Sequence, residues 1–215
     1  EWEIDLVYTT TAMTIEGAIA ARLCRVPHLW HIKEEIGSRG RVRFSMSDRQ
    51  LTRFMTGMSR RVLVMTHFIG EIFVQQGLQA AIEIVHDGVD LRQFEGDLLG
   101  STYRCQLGVG QDEVLVGMAA GLNATWKQHD LFIAMATHLE IRYPQVRFAV
   151  FGPEPPRHPN PTYNRPWNYY QELKRQAEPL QMRGRFLWAG FHSDIPQLMD
   201  ALDILVHPCA AEPFG

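Results

Sequence analysis

Lys127 closes the stretch Gly121-Leu122-Asn123-Ala124-Thr125-Trp126, which follows an apolar run ending in Gly117-Met118-Ala119-Ala120. A glycine-bearing loop after a strand can hold phosphate oxygens through its backbone N–H groups, and a lysine adds one fixed cation. This is not a Walker A loop, because the glycine pattern differs and no Lys-Ser or Lys-Thr pair is present. Alone, such a lysine is more often a surface residue. Glu212 follows the apolar run Ile204-Leu205-Val206-His207-Pro208, with Pro213 and Gly215 shaping a turn. A carboxylate at the end of a buried strand accepts hydrogen bonds from sugar or ribose hydroxyls. The plain alternative is a turn acid that caps the next helix. Gly152 and Glu154 hold the same position after the apolar stretch 147–151. His31 and Lys33 follow Pro27 on an extended segment, two residues apart, and so point to one side of a strand. A lone histidine there is otherwise a satisfied core residue, a reading that His67 and His207 carry more strongly. The nine histidines lack close acidic or cysteine partners, so no metal site is expected.

The elements that must position these groups alternate. Strands are expected at 6–8, 28–32, 62–65 and 82–85, with His86-Asp87-Gly88 as a turn. Between them, Ile15, Ala18, Ile19 and Leu23 recur near helical spacing. Ser47 and Gln50 form a capping box before a stripe of Leu51, Phe54, Met55 and Met58. A helix from about Ile69 ends at Gly77, which suits a C-cap. Residues 91–110 carry no strong core signal and read as a linker with a short helix. A second series follows: strands at 114–118, 147–151, 186–188 and 203–206. Its helices run over 130–139, with Leu131, Phe132, Met135 and Leu139 inward, and over 169–177. A third, capped by Ser193 or Asp194, carries Ile195, Leu198, Met199 and Leu202. Repeated βα units with short turns predict parallel sheets covered by helices. Two domains are expected, 1–95 and 111–215, joined by 96–110, with ligands at the carboxyl ends of the strands in the cleft between them. Residues 153–170 hold six of the twelve prolines, a stretch expected to be neither helix nor central strand. It reads as a lid over the site or a long surface loop.

Composition excludes several classes. Lys plus Arg number 21 against 24 Asp plus Glu, a net charge of -3 that argues for no nucleic-acid partner. Cys24, Cys105 and Cys209 are too far apart for a disulfide scaffold or a zinc spacing, which predicts a reducing compartment. No apolar run approaches the roughly 20 residues of a membrane span, and no signal peptide is recognised. Charge is uneven, however. Lys33, Arg39, Arg41, Arg43, Arg49, Arg53, Arg60 and Arg61 are opposed only by Glu34, Glu35 and Asp48. That run is either a solvated face or a surface meeting an anionic substrate or bilayer. The chain starts at a strand entry and stops inside a turn, so segments are expected to be missing at both ends.

Taken in order, these landmarks resemble a GT-B-fold glycosyltransferase of the glycosyl transferases group 1 kind, glycosyltransferase family 4. Thr9-Thr10-Thr11, the segment 16–23 and Val26-Pro27-His28-Leu29-Trp30-His31-Ile32-Lys33-Glu34 are similar to the middle of the acceptor domain. Val85-His86-Asp87-Gly88-Val89-Asp90 with Phe94 resembles the family's NGVD…F segment, with Asp87 in place of Asn. Trp126-Lys127-Gln128-His129-Asp130-Leu131, Phe151-Gly152 and Ala189-Gly190-Phe191 resemble the nucleotide-sugar domain. Glu212-Pro213-Phe214-Gly215 resembles the opening of the family's E-x7-E motif. The resemblance implies an α/β fold of two Rossmann-like domains with parallel sheets facing across a cleft, both incomplete here. It also implies sugar transfer from a nucleoside-diphosphate sugar to a saccharide or lipid-linked acceptor with retention, in polysaccharide or cell-envelope glycan assembly.

By the same resemblance Lys127 neutralises the donor diphosphate and Glu212 contacts the donor sugar. Gly121, Gly152, Glu154, Phe191, Phe214 and Gly215 line the donor site. The acceptor domain's donor-facing histidine falls to His31, with Lys33 sharing its strand parity. No cofactor and no metal is implied. The family pairs the lysine with a loop arginine, where this sequence has Gly121-Leu122-Asn123. Membrane-borne acceptors in relatives give the basic run a use in peripheral membrane contact, and the expected location is the cytoplasm, at the inner face of the membrane. The alternatives are a noncatalytic nucleotide- or sugar-binding module, and a nucleotide-sugar epimerase or hydrolase.

Overall fold

The computed structural model describes residues 3–214. The chain divides into two compact units, Glu1–Val89 with Glu212–Gly215, and Asp90–Ala211.

In the first unit β1 (Val7–Thr9), β2 (His28–Ile32), β3 (Arg61–Val64) and β4 (Ile82–Ile84) form a parallel sheet in the order β1-β2-β3-β4. Helices α1 (Glu16–Cys24), α2 (Asp48–Met58) and α3 (His67–Val74) are the crossovers. Trp30 pairs in register with Val62, and Ile32 with Val64. All four are fully buried against Leu51 and Met55 of α2 and Ile69 and Phe73 of α3. Ser47 accepts from the Gln50 N–H and receives its side chain in return, so the capping box is present. Thr66 caps α3 in the same way, accepting from the Ile69 N–H.

In the second unit β5 (Val114–Ala119), β6 (Val146–Phe151), β7 (Phe186–Gly190) and β8 (Ile204–Leu205) are parallel, in the order β7-β6-β5-β8. Helices α5 (His129–Leu139) and α6 (Arg165–Met182) cover Phe148 and Val150. Helices α4 (Gly100–Gln106) and α7 (Ile195–Ala201) cover Ala149 and Phe151. A sheet buried on both faces explains the unbroken apolar runs of its strands. Residues 91–110, expected to join the domains, carry the turn Leu91–Phe94 and helix α4, and Tyr103 and Val109 are buried.

Several local expectations are corrected. Helix α1 packs by Ala18 and Ala21, while Ile15, Ile19 and Leu23 are exposed. The helix lies too close to β1 for larger groups, since a Cβ on Gly17 would come within 2.5 Å of Thr9 Oγ1. Leu6 and Tyr8 are about half exposed because β1 is an edge strand. Ile204 and Leu205, expected in a buried strand, are each 49% exposed, because β8 bonds to β5 alone. In α5 the inward face is His129, Phe132, Ile133 and Ala136, and Leu131 points outward. Helix α6 begins inside the proline-dense stretch. Pro166 stands in its first turn, where a missing N–H costs nothing.

Candidate functional site

Three loops meet at the carboxyl edge of the second unit's sheet. The Ala120 N–H donates to the Phe151 carbonyl (2.9 Å), the Leu122 N–H to the Pro153 carbonyl (3.3 Å) and the Gly152 N–H to the Gly190 carbonyl (2.8 Å). Gly152 is the residue that lets them meet, for a Cβ there would lie 2.0 Å from the Ala120 carbonyl oxygen. Around these loops is a cavity of about 200 Å³, bounded by Ala120, Gly121, Gly152, Pro153, Phe191 and His192 among others. The His192 ring stacks on Tyr103 of α4, centroids 4.2 Å apart and planes 19° apart. His192 Nε2 is buried without a hydrogen-bond partner in the structure.

Lys127 ends the turn Thr125–Lys127 that leads from this edge into α5. Gln128 follows in the left-handed region (φ 57°), the conformation that sets Lys127 just ahead of the helix N-terminus. Behind it His129 is fully buried, its Nε2 donating to the Ala120 carbonyl (3.3 Å), with Nδ1 lacking a partner. Burial holds this imidazole below its ordinary pKa, so the ring is neutral, and the nearby Lys127 charge acts in the same direction. Lys127 and the first turn of the 11-residue α5, which also carries Asp130, give this edge a cation and a helix N-terminus of the kind that suits phosphate oxygens. Glu154 is held by the buried Tyr170, whose hydroxyl donates to its carboxylate. Burial, and then that carboxylate, push the Tyr170 pKa up.

At the carboxyl edge of the first unit's sheet, His31 is buried, 3% exposed. Its Nδ1 lies 2.6 Å from the Tyr8 hydroxyl, and its Nε2 is buried with no partner. Lys33 has left the strand, and its ammonium contacts both Asp87 oxygens at 2.7 and 2.8 Å. Glu34 accepts from the Thr11 hydroxyl (2.6 Å) and from the Ala12 N–H (3.0 Å), which ties the loop after β1 to the end of β2. Glu212 is half-buried and groups with this unit. Next to it the Pro213 carbonyl accepts from Thr66 Oγ1 (2.9 Å), and the Phe214 ring lies 6.1 Å from His86.

The structure thus brings Gly121, Gly152 and Phe191 to one cavity, with Lys127 on the turn that leaves the same sheet edge. Glu154 stands beside them but is engaged by Tyr170. His31, Glu212 and Phe214 belong to the first unit, and Gly215 lies outside the described residues. The sequence reading missed the buried His129, the Tyr103–His192 stack and the partner of Lys33. Asp87, in place of the family's Asn, was the one visible trace of the last.

The family model for glycosyl transferases group 1 matches residues 102–215. Among solved structures, the chain is similar to Anabaena Alr3699/HepE in complex with UDP and glucose, at 28% identity over 98% of this chain and 54% of that one, TM-score 0.74. The same protein in complex with UDP superposes at TM-score 0.77, with 28% identity over 98% and 55% of the two chains. A Rickettsia africae glycosyltransferase, 14% identical over 96% and 52% of the chains at TM-score 0.72, shares the fold. The chain spans about half the length of these structures. No curated protein matches the sequence. Two parallel sheets, each flanked by helices, are the GT-B arrangement that these structures share.

Proposed function

The chain belongs to the glycosyl transferases group 1 family, and on that premise we propose that the whole protein is a retaining glycosyltransferase using a nucleoside-diphosphate sugar. The observation that carries this reading is the carboxyl edge of the second unit's sheet, where the glycine loop borders the cavity at Gly152 and Phe191 and leads through Lys127 into the start of α5. The similar Alr3699/HepE was solved with UDP-glucose, which makes a UDP-sugar the first donor to try.

In the proposed reaction the bond between the anomeric carbon and the diphosphate oxygen breaks, and negative charge builds on the leaving group. Lys127 and the α5 N-terminus sit where that charge develops, so they stabilise the transition state more than the ground state. His129, neutral and buried behind the lysine, keeps the turn anchored to Ala120 without adding charge of its own. Glu212 accepts hydrogen bonds from donor-sugar hydroxyls, and His31, its Nδ1 bonded to Tyr8, presents Nε2. The acceptor is a saccharide or lipid-linked sugar of a cell-envelope glycan. The protein works in the cytoplasm, and the exposed arginines of the run 39–53 give it peripheral contact with an anionic membrane. No helix among the described residues is long and apolar enough to cross a membrane.

The test is turnover of UDP-glucose and related donors by the whole protein, with and without saccharide acceptors, and the anomeric configuration of the product by NMR. Acceptor-dependent release of UDP with retention supports the reading. Donor turnover at the same rate without acceptor assigns hydrolysis or isomerisation instead. The absence of an arginine from Gly121-Leu122-Asn123 favours one further reading, a binding module, which UDP binding with no turnover of any donor would establish.

A further inference from the structure

Arg60 stands near the end of the basic run, yet it does not lie at the carboxyl edge of its sheet. It sits at the opposite edge, where β2 and β3 begin, and its N–H donates to the His28 carbonyl (2.8 Å). There it borders a depression of roughly 360 Å³ together with Arg22, Arg25 and Ser59. No carboxylate lines it. Two other cations of the unit are engaged, Lys33 by Asp87 and Arg61 by the Ala80 carbonyl, whereas the exposed arginines of 39–53 do not line this hollow. Among the described residues, no hydrogen bond or ion pair is formed by the side chains of Arg22, Arg25 or Arg60. Arg22 in the last turn of α1 answers the helix dipole. That accounts for one cation and leaves Arg25 and Arg60 without a counter-charge, so three guanidinium groups border one hollow and repel one another.

The floor of the hollow is polar and ordered. Ser59 Oγ lies 2.9 Å from His28 Nδ1, and His28 Nε2 lies 2.9 Å from Thr9 Oγ1. His28 and Thr9 are buried, 3% and 7% exposed. A neutral His28 carries one ring proton. With the Thr9 hydroxyl donating to Nε2, that proton is on Nδ1 and is donated to Ser59 Oγ. In that tautomer the Ser59 proton is left to donate into the hollow, and in the opposite one it is spent on His28 Nδ1.

We propose that this hollow binds a phosphate-bearing anion, held by the guanidinium groups of Arg22, Arg25 and Arg60 and by the Ser59 hydroxyl. Planar guanidinium forks match phosphate oxygens in pairs, and an anion removes the repulsion among the three cations. The site lies at the strand ends away from the carboxyl edges and does not depend on the proposed transfer reaction. Its ligand is a soluble phosphate or the phosphomonoester of a lipid headgroup.

The experiment uses the whole protein, with inorganic phosphate against chloride at matched ionic strength, and phosphatidylcholine vesicles with and without phosphatidic acid. The readouts are thermal stabilisation and co-sedimentation. The variants are Arg22→Gln with Arg60→Gln together, Arg25→Gly (glycine suits φ 57° there), Ser59→Ala, and Lys127→Ala as control. Phosphate stabilisation that weakens tenfold or more in the double variant and persists in Lys127→Ala supports a soluble ligand. Binding only to phosphatidic acid vesicles, lost in the double variant, supports a lipid headgroup. If the double variant does not fold, Arg25→Gly and Ser59→Ala decide, each expected to weaken binding threefold or more. Binding unchanged in the arginine and serine variants, binding lost only with Lys127→Ala, or no binding of either probe by the wild-type protein overturns the proposal.

Discussion

Gly152→Ala is the sharpest perturbation of the second unit that leaves every charged group in place. The added Cβ would lie 2.0 Å from the Ala120 oxygen, 2.7 Å from its carbonyl carbon and 3.2 Å from the Gly121 Cα, all backbone atoms. A carbon–oxygen contact needs about 3.3 Å, so the loop after β5 must move by about 1.3 Å. The three hydrogen bonds that lash the loops together, Ala120 to Phe151, Leu122 to Pro153 and Gly152 to Gly190, cannot all survive that shift. Overpacking costs about 1–3 kcal/mol, and losing one such bond about 1 kcal/mol more, so the expected loss is about 2–4 kcal/mol. The same displacement carries the glycine loop away from the proposed diphosphate position, and under the proposed reaction a 1 Å misplacement costs on the order of a hundredfold in rate. Gly117→Ala is the matched control. Its Cβ would meet Leu202 Cδ2 at 2.5 Å, Cδ1 at 2.8 Å and Cγ at 3.2 Å, but all are side-chain atoms that move without the backbone, so about 1–2 kcal/mol is expected. Urea unfolding measures stability, and UDP titration measures the site. If Gly152→Ala unfolds within about 0.5 kcal/mol of wild type and binds UDP equally well, the close approach of the loops does not position the site, and the argument fails.

Further predictions concern the parts around that edge. His28 and His129 are both held by burial below their ordinary value of 6.5. The unfolded chain therefore takes up protons that the fold refuses. The contribution of these two histidines is constant above about pH 6.5 and falls below it, by up to about 1.4 kcal/mol per pH unit for each, as urea midpoints at successive pH values will show. Gln128→Gly relieves a left-handed residue at the start of α5 (φ 57°) and is expected to add about 0.5–1 kcal/mol in the same assay. Ser47→Ala removes the α2 capping box and is expected to cost about 1 kcal/mol, with loss of helical signal by circular dichroism on heating.

The parallel βα order was legible because each strand is a short apolar run closed by turn residues. The start of α2 was legible because a capping box is written within four residues. Exposure was not legible at β1 and β8, where apolar composition says buried but position at the sheet edge says otherwise. The packing face of α1 was misread because it is made of small residues, and hydrophobic periodicity weighs large ones. In the site, Lys127 and the glycines could be found from loop position. The Tyr103–His192 stack and the Lys33–Asp87 pair join residues far apart in the chain, which no local pattern announces. His129 escaped for a different reason: a histidine at a helix start reads as solvated, and only the fold shows it buried behind Lys127.

Under the proposed function, Lys127 and its turn hold the diphosphate of a nucleotide donor. The most direct measurement compares UDP with uridine by calorimetric titration, in the whole protein and in its Lys127→Ala variant. A charge-assisted contact of this kind contributes about 1.5–3 kcal/mol, so the variant should lose roughly 10- to 150-fold in UDP affinity while uridine binding is unchanged. An undiminished preference for UDP over uridine in Lys127→Ala would contradict the claim.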